Sequence, residues 1–225
     1  MSDYQDLCEM YERSASDPDF IDDLIDEISQ KERTYEEEFE WYQENEAKKH
    51  FEILSEQVQS VGKILEVEIP KQAKFSLLVM LYAHIVSAIE GYLAGVFIHH
   101  VCNSESLTRK LVETDPELGK RKFSLSEIYQ QSNTLSVTVS SYLKNLIFHD
   151  LKKIKPMYET VLGHTFSDME WLFQAVQIRH HCVHRAGYDK DGNTVNITVE
   201  SIFDLLGNVE ALANEVDDTL DNLAP

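Results

Sequence analysis

Nine consecutive residues, Arg179-His180-His181-Cys182-Val183-His184-Arg185-Ala186-Gly187, gather most of the chemistry this chain has to offer. A guanidinium is permanently charged and presents a planar fork of donors that matches a phosphate. An imidazole titrates near neutral pH and can both take and give a proton. Together they are equipment for stabilising and cleaving a phosphodiester. Arg179 and His184 are five positions apart, however, and diverge by about 140° on an ideal helix at 100° per residue. One helix presents them poorly to a single small ligand, whereas two copies meeting across a two-fold axis pool two arginines and two histidines in one cleft. The spacing therefore predicts a homodimer. His180 and His184 also share the i,i+4 spacing of helical metal sites. There is no glutamate at position 181 and no distant cysteine or carboxylate pair to complete a set, so a metal centre is the weaker reading.

These residues need a helix to carry them. Ser167-Asp-Met-Glu170 matches a capping box, in which a hydroxyl and a carboxylate satisfy amide protons at a helix start. From there Met169, Leu172, Phe173, Val176 and Val183 form an apolar stripe, with Arg179 and His180 on or beside it. Polar groups in such positions are expensive unless paired or used. Gly187 is placed to end the helix in the left-handed conformation. Beyond it, the Asp191-Gly192 turn between short extended pieces predicts a small β-hairpin before the last helix. That helix has Ile202, Leu205, Val209, Leu212, Val216, Leu220 and Leu223 on one face.

Upstream, Pro18 opens a short acidic helix with Phe20, Ile21, Leu24, Ile25 and Ile28 inward. A longer helix over 33–66 follows, in which Phe51, Leu54, Val58, Val61 and Leu65 make a seam of heptad type. The acidic run Glu36-Glu37-Glu38 and Glu40 reads as a solvated face of it. Pro70 breaks the chain before an apolar helix at 71–102, long enough to suggest a membrane span. It carries Glu90 and three histidines, and a carboxylate at mid-span costs roughly 2.5–3.5 kcal/mol. A buried central helix, without membrane insertion, is the expectation. Residues 104–122 read as a polar connector, and Ser124 to Glu127 as a second capping box. A helical stretch over 137–162 carries Lys152-Lys153-Ile154-Lys155, with Pro156 kinking or ending it. His99 and His100 mark the polar end of their helix, His149 and His164 read as surface residues, and Tyr142 and Tyr158 as packing residues.

Scarce glycine and proline (8 and 5 in 225 residues) favour a mainly helical protein, with an acidic helical extension over 1–69 and a helical domain over 70–225. A net charge of −20 argues against broad electrostatic binding of nucleic acid. The charge is uneven: −14 over residues 1–60, neutral over 61–150, +2 over 151–190 and −8 over 191–225. The only net-positive stretch holds the Arg/His segment, so a phosphate site can live there. Three cysteines (Cys8, Cys102 and Cys182) without a CxxC pair, together with no secretory signal, make a reducing cytoplasmic setting the default.

Arg-x4-His followed by Arg-Ala-Gly on the penultimate helix of an all-helical domain resembles the HEPN superfamily. The pattern Arg179-His180-x-x-Val183-His184-Arg185-x-Gly187 is similar to one bacterial branch of it. Ser87-Ala-Ile-Glu90-Gly-Tyr-Leu93 resembles an acidic position on an earlier helix of that fold, and the likeness spans roughly residues 71–223. It implies an all-α, HEPN-like helical bundle and a metal-independent endoribonuclease of toxin–antitoxin, anti-phage defence or RNA-processing systems, with no cofactor. Carried over, Arg179 and His184 are the catalytic pair and His180 the polar residue after the arginine, with Glu90, His181 and Arg185 in support. His181 departs from the acidic or amide residue common in this branch. Ala186 stands where a tyrosine marks pairing with nucleotidyltransferase antitoxins, so that partnership does not follow, although a regulatory protein partner remains compatible.

The implied chemistry is coherent. An RNA 2′-hydroxyl is an internal nucleophile beside its own phosphate, so no metal is strictly needed. His184 would move the proton of the 2′-hydroxyl or of the leaving 5′-oxygen, and Arg179 would hold the phosphate and its developing charge. Lys152, Lys153, Lys155 and Arg185 would guide the RNA backbone, or the lysines form an ordinary solvated face. The competing class is a HEPN-like module without catalysis, serving dimerisation, adaptor or nucleotide-sensing roles.

Overall fold

The computed structural model describes residues 47–120, 139, 142, 143, 146, 148 and 150–221. The short acidic helix over 20–28, the Glu36–Glu40 run, the second capping box and His149 lie outside these residues. The described part is mostly helical, with six α-helices: α1 (Ala47–Leu65), α2 (Lys71–Cys102), α3 (Glu105–Thr114), α4 (Leu151–Met157), α5 (Glu170–Arg185) and α6 (Val199–Asp221).

The apolar helix α2 organises the rest. Pro70 sets its start, and α1, α3, α5 and α6 all pack against it. Its length and composition would suffice to cross a membrane. In this fold Ile85, Val86, Ile89, Leu93, Val96 and Phe97 are fully enclosed by the neighbouring helices, which removes their apolar surface from water at roughly 25 cal/mol per Å². The seam predicted for α1 is realised: Leu54, Val58 and Val61 are buried, and Phe51 and Leu65 pack at the edge. The described core thus begins ahead of Pro70.

Two segments depart from the sequence expectations. Over 104–120, the described part of the predicted connector, the chain is not a plain connector. Ser104 caps α3, its hydroxyl accepting from the Leu107 amide at 3.3 Å, and Leu111 is fully buried. The 10 residues of α3 give too short a pattern for periodicity to announce. The Asp115 carboxylate then accepts from the Glu117 and Leu118 amides at 2.8 and 3.0 Å and from the Tyr142 hydroxyl at 2.7 Å. The predicted β-hairpin is likewise reduced to a single antiparallel bridge, Tyr188 with Thr194, and no strand forms among the described residues. Two backbone bonds join its arms, Asp189 amide to Asn193 carbonyl and Val195 amide to Gly187 carbonyl, both at 2.8 Å, and the Asp189 carboxylate accepts from the Asp191 and Asn193 amides, both at 2.8 Å.

Pro156 sits inside α4, where its missing N–H removes one helical bond, and the chain widens into a π turn over Tyr158–Leu162. Gly163, with φ of 72°, ends it. Tyr158 and Tyr142 are buried as packing residues. His164, expected at the surface, is instead only 1% exposed, held between Thr219 and the rings of Phe166 and Tyr158.

Candidate functional site

α5 carries the Arg/His segment and packs antiparallel to α2: Arg179 reaches Glu90, while Gly187 abuts Phe75 and Val79. The close approach at Gly187 explains its type. A Cβ there would lie 2.5 Å from Val79 Cγ2 and 2.9 Å from Phe75 Cζ, and the backbone has φ of 86°. The left-handed turn begins one residue earlier, at Ala186 (φ 51°), so two consecutive residues end the helix, and the Gly187 amide returns to the His181 carbonyl at 3.0 Å.

The start of α5 differs from the predicted capping box. Met169 is the capping residue, and the Glu170 amide donates to Asp168 Oδ1 at 2.9 Å. Glu215 of α6 draws the Ser167 amide and hydroxyl to itself, which takes that hydroxyl out of a cap. A carboxylate 48 positions away leaves no local signal. The predicted apolar stripe is also rotated. Met169 and Leu172 are buried and Val176 half-buried, but Phe173 and Val183 are 36% and 52% exposed. Ala175 and Cys182 take the core positions, because α2 covers that side.

This rotation divides the polar residues. Arg179 turns inward. Its Nη2 stands 3.8 Å from Glu90 Oε2, and the two side chains are 22% and 13% exposed. Among the described residues the buried Arg179 Nε has no hydrogen-bond partner. His180 and His184 project to the open side, their ring centroids 4.6 Å apart. Partial desolvation, then the positive charge of His184, Arg185, His181 and Arg179, holds the His180 imidazole below its ordinary pKa. His181 is half-buried, and its Nδ1 lies 3.1 Å from Arg185 Nη1, a bond in which the guanidinium donates and the ring accepts. Thus one protomer does not gather Arg179 and His184 onto one surface. The wall beneath is apolar and unreactive: burial pushes the Cys182 thiol up to about 11 and the Tyr82 phenol to about 12.

The three lysines lie on α4 and differ in environment. Lys153 is engaged, its Nζ 2.8 Å from Glu117 Oε1 and 5.2 Å above the Tyr142 ring. Lys155 is half-buried, and Lys152 is exposed at the edge of a groove of about 480 Å³ floored by Leu111 and Met157. Among the described residues no hydrogen bond or ion pair joins these lysines to α5, and no three His, Cys, Asp or Glu side chains converge as a metal set. Comparison with protein-family models, with curated proteins and with solved structures finds no match to this chain.

Proposed function

We propose that this chain is a HEPN-like, metal-independent endoribonuclease that works as a homodimer in a reducing, cytoplasmic setting of toxin–antitoxin or anti-phage defence. The observation that carries the reading is the division of α5. A half-buried guanidinium oriented by Glu90 occupies one side, and a pair of exposed imidazoles flanked by exposed Phe173 and Val183 occupies the other. Such a helix makes sense as half of a site. Two α5 helices facing one another through the Phe173–Val183 side would bring two His184 rings to the axis, with Arg179 of each copy on the flanks.

In this reading Glu90 aims Arg179, which holds the scissile phosphate and stabilises charge on its equatorial oxygens. His184 moves the proton of the 2′-hydroxyl or of the leaving 5′-oxygen, and His180 and His181 with Arg185 set the local field. Exposed Lys152 offers a backbone contact, while Lys153 first has to leave Glu117. Products carry a 2′,3′-cyclic phosphate and a 5′-hydroxyl, so a substrate with a 2′-deoxy group at the scissile position resists cleavage. Equal cutting of that substrate would sink the mechanism.

One observation favours the second reading, a non-catalytic dimerisation or adaptor module. The Arg179–Glu90 pair by itself serves a structural purpose, tying α5 to α2. Expression in cells separates the two. A ribonuclease slows growth and His184→Ala relieves it, whereas an adaptor is indifferent to His184→Ala.

A further inference from the structure

His180 and His184 form a pair on the open side of α5. They lie one helical turn apart, both exposed, with centroids 4.6 Å apart and ring planes inclined by 47°. Two imidazoles bound to one zinc ion at about 2.0–2.1 Å, with an N–Zn–N angle between about 90° and 110°, place their centroids roughly 4.5–5.2 Å apart. The observed centroid separation of 4.6 Å falls within that range. Zinc takes four ligands, and one chain supplies two here. Two-fold pairing through the side of α5 that exposes Phe173 and Val183 supplies the other two from the same residues of a second copy.

We propose that His180 and His184 of two copies form a four-imidazole site for a zinc-class divalent ion, which closes the dimer. Electrostatics around the pair permit this. Arg179 is offset by Glu90, and the Arg185 guanidinium is turned onto His181. His181 does not join, because its Nδ1 is held by Arg185 on a different side of the helix. The ion is an off-switch rather than a cofactor. A zinc-bound His184 has no lone pair left for a proton, so zinc at this site stops cleavage and chelation restores it. That last consequence rests on the ribonuclease reading; the metal site does not.

The test is equilibrium dialysis of the full chain against Zn²⁺, with analytical ultracentrifugation and Co²⁺ absorption as parallel readouts. The proposal expects one ion per two chains, a zinc-dependent shift towards dimer, and the intense visible bands of tetrahedral Co²⁺. His180→Ala and His184→Ala, both at exposed positions and checked for unchanged helicity, each weaken binding by more than about tenfold, and His181→Ala does not. One ion per chain on a monomer, binding indifferent to both alanines, or no binding at all overturns the proposal. Zinc binding as expected in a protein that cleaves no RNA leaves this site standing and removes only the ribonuclease reading.

Discussion

Replacing Glu90 by glutamine isolates what the Arg179 pairing contributes. At 3.8 Å the two charges attract by about 4 kcal/mol at an effective dielectric of about 20. Removing the carboxylate leaves a cation that is only 22% exposed beside a neutral amide. Uncompensated, fully buried charges cost about 3–5 kcal/mol, and solvent access together with the amide oxygen reduces this to about 2 kcal/mol here. In a chain of this size that lowers Tm by about 4–8 °C. Arg179→Gln placed on top should recover most of the loss, because the double variant has no stranded charge. Thermal and urea melts of the two single variants and the double variant complete the cycle. A Glu90→Gln loss below about 0.5 kcal/mol, or losses that add in the double variant, would refute the account of a coupled pair tying α5 to α2.

Acid should weaken the fold through His100, whose pKa burial and then the charge of His99 bring down to about 4. The unfolded chain binds this proton near pH 6.5 and the folded chain does not. Stability is therefore full above about 6.5 and falls as pH drops towards 4. Partial exposure limits the loss to about 1–2 kcal/mol; urea melts at pH 7 and pH 5 should show it, and His100→Leu should lessen it. At the end of α5, Gly187→Ala should cost about 1–3 kcal/mol, since its Cβ meets Val79 and Phe75 at a positive φ. Ala186→Gly should gain about 0.5 kcal/mol by relieving the left-handed alanine at φ 51°. A thermal melt distinguishes the two by the sign of the shift in Tm.

The parts of this molecule written in local pattern were legible before the fold was known. The start of α2 follows from Pro70 and its central place from a long, mainly apolar run, and the α1 seam follows from 3,4 spacing at Leu54, Val58 and Val61. Where partners from elsewhere in the chain decide, the sequence misled. Glu215 takes Ser167 out of its capping box, and α2 chooses Cys182 over Val183 as the buried residue of α5. The hairpin shortens to one bridge, with the Asp189 carboxylate holding the Asp191 and Asn193 amides of the turn. The candidate site shows the same split. Arg179, His180 and His184 stand out by type and spacing, but which of them face Glu90 and which face solvent depends on how α5 rolls against α2.

Mixing two inactive variants tests the central claim most directly. Wild type, Arg179→Ala, His184→Ala and an equimolar, co-refolded mixture of the two variants are incubated with total and transfer RNA in EDTA. A composite site predicts cleavage by the wild type, none by either variant alone, and partial recovery in the mixture, where one arginine and one histidine meet across the dimer. Cleavage by a single variant, or a mixture as silent as its components beside an active wild type, would contradict it.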